Sequence, residues 1–108
     1  MIMIKAIIRP EKTDEVMEEL MLAGFPSISK MDVLGRGKQK GIQVGTNYYN
    51  QISKKLLMMV VNDDEKDDVI SIIMRTARTG ENGSFGDGKI FVMPVLEAYT
   101  ISTGKNQL

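Results

Sequence analysis

The most chemically suggestive stretch of this 108-residue chain is Gly35-Arg36-Gly37-Lys38-Gln39-Lys40-Gly41. Glycines at alternate positions allow close approach to the backbone, while Arg36, Lys38 and Lys40 supply positive charge. Exposed peptide N–H groups beside basic side chains make an anion site. The Gln39 amide oxygen could ligate a hard cation. The same residues also suit a glycine-rich hairpin whose lysines are simply solvated. A second glycine-rich stretch runs from Thr79 to Lys89 and ends Gly86-Asp87-Gly88-Lys89. It leads into a strand rather than a helix, so it is not a Walker P-loop. It could wrap phosphates with its backbone and Lys89, or be an ordinary Asp-Gly turn.

Other polar clusters are less specific. Asp63, Asp64, Glu65, Asp67 and Asp68 could approach a metal, but negative charge at a helix N-terminus is stabilising without any ligand. Tyr48 and Tyr49 stand together in a polar stretch and suit contact with a partner, or a modification site. The nine methionines fall mostly at strand or helix-core positions and read as packing.

What is missing narrows the chemistry. Without Cys there is no disulfide, thiolate nucleophile or Cys-ligated cluster, and without His no imidazole catalyst or histidine metal site. Fourteen basic residues balance fourteen acidic ones, so no net field favours non-specific nucleic-acid binding. The longest apolar run, Leu56 to Val61, is far short of the roughly 20 residues that span a bilayer. Met1-Ile2-Met3-Ile4-Lys5 lacks the features of a signal peptide, so a cytoplasmic domain is expected.

The elements that must position these residues follow from periodicity. Met1 to Arg9 is an Ile-rich strand ended by Pro10. Lys12 to Ala23 is a helix with Val16, Leu20 and Ala23 on its apolar face, Met17 beside them, and Gly24 as its stop. Ile28 to Leu34 is a second strand, Gly35 to Ser53 a long loop, and Lys54 to Val61 a third strand. Asn62 and Glu65 have capping-box spacing. They precede a helix whose Val69, Ile72, Ile73, Thr76 and Ala77 share one face. Thr79 to Gly88 is a loop, Lys89 to Ala98 a fourth strand, and the tail is polar.

The order β-α-β-β-α-β predicts one α+β domain over 1–108, a ferredoxin-like sandwich. A four-stranded antiparallel sheet carries both helices on one face. The strands are apolar on both faces: Ile2, Ile4, Ala6 and Ile8 oppose Met3 and Ile7, and Ile90, Val92 and Leu96 oppose Phe91, Met93 and Val95. One helical layer leaves the second face uncovered, which predicts self-association.

Five blocks carry a family resemblance: Ala6-Ile7-Ile8-Arg9-Pro10, the Gly35–Gly41 stretch, Arg75-Thr76-Ala77-Arg78-Thr79-Gly80, Gly86-Asp87-Gly88-Lys89-Ile90-Phe91-Val92, and Thr103-Gly104. Together, in this order, they resemble the PII signal-transduction family over essentially the whole chain. The resemblance implies a trimer with ATP or ADP between subunits. Ile7, Gly35, Gly37, Lys38, Gln39, Val60, Gly86, Asp87, Gly88 and Lys89 would then meet the nucleotide. It also implies 2-oxoglutarate bound with Mg-ATP: Gln39 ligating Mg, backbone around Gly41 closing on the acid, and Lys54 pairing with a carboxylate. No tightly bound prosthetic group is implied.

The chain departs from the family pattern in three places. The long loop, 35–53, is shorter than the common form and lacks the stretch carrying the uridylylated tyrosine, and Tyr48 and Tyr49 do not match its register. The nucleotide loop, 79–88, carries a small insertion around Asn82-Gly83-Ser84-Phe85. In the C-terminal segment, 99–108, Thr100 and Ser102 stand where the family usually has arginines for the phosphates. Charge-assisted hydrogen bonds contribute roughly 1.5–3 kcal/mol each. Either ATP binds weakly here, or a paralogue supplies arginines across a mixed interface. The Gly35–Gly45 block resembles the archaeal, nitrogenase-associated branch.

The expected function is therefore a nitrogen-regulatory binding module whose long loop, tipped by Tyr48 and Tyr49, controls a partner protein, nitrogenase. The alternative is a weak ATPase or phosphatase on the same fold, although no activated nucleophile or tuned base is evident. An RNA-binding module of this strand order would stack bases on sheet aromatics, which the middle strands lack.

Overall fold

The computed structural model of the chain describes residues 1–36, 42–44, 47–49 and 52–108. Strand β1 (Ile2–Ile8) buries Ile4, Ala6 and Ile8, the period-two alternation of a strand with one face on the core. A 3₁₀ turn, Pro10–Lys12, leads into α1 (Thr13–Leu22), whose Val16 and Leu20 are fully buried. Ala23, expected on the apolar face, is exposed because the helix ends one residue earlier. Gly24 takes a positive φ of 95°, and the Phe25 N–H donates to the Leu20 carbonyl at 2.8 Å. That closure satisfies a terminal carbonyl and folds Phe25 against the core in place of Ala23.

Strand β2 (Ser29–Gly35) and strand β5 (Ile52–Val61) flank the long loop. The expected loop 35–53 is partly regular. It holds a ladder of its own between β3 (Ile42–Val44) and β4 (Asn47–Tyr49), and β5 begins at Ile52 rather than Lys54. The early start follows from pairing: Gly35 sits opposite Ile52 and Leu34 opposite Ser53, so backbone hydrogen bonding carries the strand past its apolar run.

A 3₁₀ turn, Asp63–Glu65, precedes α2 (Lys66–Ala77). The expected capping box forms, with the Glu65 carboxylate accepting the Asn62 N–H at 3.0 Å. Val69, Ile72, Ile73, Thr76 and Ala77 are all buried on one face of α2. Strand β6 (Gly88–Pro94) ends four residues before the expected Ala98. The Val95 N–H still donates to the Met1 carbonyl at 3.0 Å, just before β1, while Leu96 lies beyond the sheet and is 92% exposed. The tail is a small hairpin of β7 (Tyr99–Thr100) and β8 (Lys105–Asn106).

The main sheet runs β2-β5-β1-β6, antiparallel throughout. Ile4, Ala6 and Ile8 of β1 and Leu57, Met59 and Val61 of β5 join the buried residues of both helices in one core. This is the expected ferredoxin-like sandwich. Burying each large apolar side chain contributes about 1.5–3 kcal/mol. On the other face Ile7 stands opposite Leu56, Lys5 opposite Met58 and Phe91, and Met3 opposite Val60 and Met93. Among the described residues no helix lies over this face, and Met31 and Phe91 are each 45% exposed.

Candidate ligand-binding site

The glycine-rich loop lands where β1 ends. Gly88 pairs with Ile8, and its backbone passes so close to β1 that an added Cβ would lie 1.7 Å from the Ile7 carbonyl oxygen. Its φ of 115° is also one that L side chains rarely adopt. Only glycine lets β6 begin there, and that placement brings Asp87 to Arg9, the first residue past β1.

Asp87 is the hub of the loop. Its carboxylate accepts the Thr79 hydroxyl at 2.6 Å, the Thr79 N–H at 3.0 Å, the Ser84 N–H at 2.8 Å and Arg9 Nε at 3.0 Å. The Thr79 hydroxyl above all, opposed next by burial and then aided by the two backbone N–H groups and Arg9, holds its pKa well below the usual carboxylate range. Arg9 also donates through Nη2 to the Phe85 carbonyl at 2.7 Å. Lys54 Nζ donates to the next carbonyl, that of Gly86. Burial above all, and then the neighbouring Arg9 charge, push the Lys54 ammonium pKa down.

These contacts join the two loops. Lys54 lies opposite Val33 on the β2–β5 ladder, two pairs inward from Gly35 and Ile52 at the stem of the long loop. Ile7 pairs with both Leu56 and Lys89, so the open sheet face carries an apolar floor beside two lysines, Lys54 and Lys89. Behind the loop, a cleft of about 380 Å³ opens between α2 and β6, walled by Ile73, Met74, Ala77 and Ile90 and lined also by Arg78 and Lys89.

Of the residues expected at a nucleotide site, Ile7, Gly35, Gly86, Asp87, Gly88 and Lys89 gather at this end of the sheet, with Lys54. Val60 does not join them. It shares the open face but sits opposite Met3, four residues along β1 from Ile7. Gly37, Lys38, Gln39 and Gly41 lie outside the described residues. Tyr48 and Tyr49 pair with Gln43 and Ile42 in the β3–β4 ladder. Thr100 ends the first strand of the terminal hairpin and Ser102 is exposed in its turn. Among the described residues no three His, Cys, Asp or Glu side chains converge on a metal position, so the run from Asp63 to Asp68 forms no such centre. Arg9 and Thr79 fall in the blocks that carry the resemblance but have no site role legible in sequence; the partner that gives them one, Asp87, is remote in the chain or across a loop.

No helix among the described residues is long and apolar enough to cross a membrane. The family model described as "Nitrogen regulatory protein P-II" matches residues 1–105. A "Nitrogen fixation nifHD region glnB-like protein 1" of Methanococcus maripaludis is 53% identical over 101 residues, covering 94% of this chain and 93% of the relative. A "Nitrogen fixation nifHD1 region GlnB-like protein 1" of Methanosarcina barkeri is 53% identical over 103 residues, covering 95% of each. Among solved structures, PII of Arabidopsis thaliana bound to citrate superposes with a TM-score of 0.78 at 32% identity, over 98% of this chain and 84% of that one. Matched almost from end to end in sequence and in fold, and sharing half its residues with archaeal nitrogen-fixation-region relatives, this chain belongs to the nitrogen regulatory protein P-II family.

Proposed function

We propose that this chain is a trimeric signalling protein that binds ATP or ADP, takes up 2-oxoglutarate together with Mg-ATP, and controls nitrogenase through its long loop. The observation that carries the reading is the junction of the two loops, where Arg9 and Lys54 grip consecutive carbonyls of the glycine-rich loop beside the stem of the long one. A ligand there would touch both loops at once, which is what converts occupancy into loop display.

The remaining roles fit this arrangement. Lys89 and the backbone at Gly86 and Gly88 would meet phosphates, with Ile7 beneath the base. Gly35, Gly37 and Lys38 would close on the nucleotide from the long loop. Gln39 would ligate Mg, backbone around Gly41 would hold the dicarboxylate, and Lys54 would pair with one of its carboxylates. The citrate in the Arabidopsis PII structure supports a polycarboxylate ligand. Val60 would come from the neighbouring subunit, since within one chain it stands at the far end of the open face. That face, carrying Met3, Leu56, Met58 and Phe91, is the surface a trimer would bury. The relatives' nifHD-region names support nitrogenase as the target, with Tyr48 and Tyr49 in the loop's ladder as contact residues. The role is regulatory rather than enzymatic.

Calorimetric titration tests this directly. Wild-type protein should bind 2-oxoglutarate only with Mg-ATP present, and Gln39→Ala should lose that binding while keeping its sedimentation coefficient. Unchanged 2-oxoglutarate binding by Gln39→Ala, or steady ATP turnover by the wild type, would overturn the reading. Tight ATP binding by the chain alone would show that Thr100 and Ser102 need no arginines from a paralogue.

A further inference from the structure

The sequence suggests that Asp87 meets the nucleotide, but its carboxylate is already engaged by four donors. Two of these, Oγ1 and N–H of Thr79, fix the point where the chain leaves α2. The Ser84 N–H closes the turn from the other side, and the Asp87 N–H returns to the Ser84 carbonyl at 3.2 Å. A carboxylate so occupied shapes a loop and has little capacity left for a ligand.

Arg9 completes the arrangement. Its Nε pairs with Asp87 and its Nη2 takes the Phe85 carbonyl. A trans peptide holds its C=O and N–H on opposite sides of one plane. Fixing the Phe85 carbonyl on Arg9 therefore turns the Gly86 N–H the other way, out of the loop's interior. The guanidinium charge is neutralised by Asp87 in the same step, so Arg9 is not a cation left over for phosphate, whereas Lys89 is exposed.

We propose that Arg9, Thr79 and Asp87 act as one positioning unit for the nucleotide loop, setting the direction of the Gly86 N–H and of Lys89 without touching the ligand. This rests on the nucleotide-binding reading above. It differs from that reading in taking Asp87 out of the contact set and bringing in two residues from the ends of β1 and α2.

The test combines amide hydrogen exchange on the ligand-free protein with ADP titration. Arg9→Gln and Asp87→Asn should each speed exchange of the Ser84 amide and weaken ADP binding about tenfold or more, the range of a lost charged hydrogen bond. The double variant should be no weaker than the worse single one, because both break the same unit. Thr79→Ser should behave as wild type and Thr79→Val as Asp87→Asn. Additive losses in the double variant would overturn the proposal. So would an Asp87→Asn protein that loses only Mg-dependent affinity while Ser84 exchange stays slow, since Asp87 would then be a direct ligand group. If wild-type protein binds no ADP, the functional reading fails. The exchange rates of the same variants still decide whether the unit orders the loop, and unchanged Ser84 exchange in all of them would refute it.

Discussion

Replacing Gly88 by alanine separates two kinds of damage that glycine substitutions usually mix. The added Cβ would sit 1.7 Å from the Ile7 carbonyl oxygen and 2.8 Å from its carbon, in a backbone with φ of 115°. Neither contact can be relieved by a rotamer, because both partners are main chain. Two other glycines calibrate the result. Gly35 meets nothing within 4 Å and has no positive φ, so Gly35→Ala should leave stability within about 0.5 kcal/mol. Gly80 meets nothing either but has φ of 66°, so Gly80→Ala should cost about 1–2 kcal/mol for backbone strain alone. Gly88→Ala carries strain plus the displacement of β6 from β1 at the pairs Ile8–Gly88 and Ile7–Lys89. It should cost roughly 3 kcal/mol or more, a large share of the 5–15 kcal/mol typical of a domain. With about 4–8 °C per kcal/mol, the midpoint should fall by more than about 12 °C. Urea titrations for the free energies, and thermal melts for the midpoint, at one fixed protein concentration read all three variants. Gly88→Ala no less stable than Gly80→Ala would refute the close-approach reasoning.

Thr13 is 2% exposed and its hydroxyl has no hydrogen-bond partner among the described residues, so Thr13→Val should be neutral or stabilising by up to about 1 kcal/mol in thermal melts. Leu20→Ala opens a cavity where α1 meets the core and should lower the unfolding free energy by about 2–5 kcal/mol in urea. Because folding depresses the Asp87 pKa, its carboxylate stabilises the native state fully above the unfolded pKa of about 3.9. The stability gap between wild type and Asp87→Asn should thus hold constant from about pH 7 to 5 and shrink as pH falls below about 4; a gap that widens in acid would contradict the assignment. Leu56→Asp, on the open sheet face, should yield a folded species of lower sedimentation coefficient, read by circular dichroism and ultracentrifugation.

The fold was legible because its elements have clean periods. The Val69–Ala77 stripe and the alternation of Ile4, Ala6 and Ile8 each admit one regular structure, and both are buried as read. Misreadings arose where pairing or a single residue outweighs pattern. Three-residue strands such as Ile42–Val44 are too short to show a period beside so many glycines. Leu96 and Ala98 continue an apolar run that Pro94 has already ended. Much of the candidate site was legible as residue types, since glycines, lysines and an Asp-Gly step do gather at one end of the sheet. The role of Asp87 was not. Arg9 lies 78 residues away in sequence and meets it only because β1 and β6 are neighbours. No local spacing carries that information.

The pairing of Gly35 with Ile52 has a consequence for how this protein can diversify. It pins both ends of residues 36–51 to the sheet, so the segment leaves and re-enters the body at one paired position. Closure entropy grows only slowly with length, by about 0.6 kcal/mol for each doubling. Residues could be added, removed or rewritten there with little effect on the core, whose described members all lie outside 36–51. Under the proposed function, such changes could retune contact with a target while the sandwich stays intact, provided the ligand-binding residues at the base of the loop are kept.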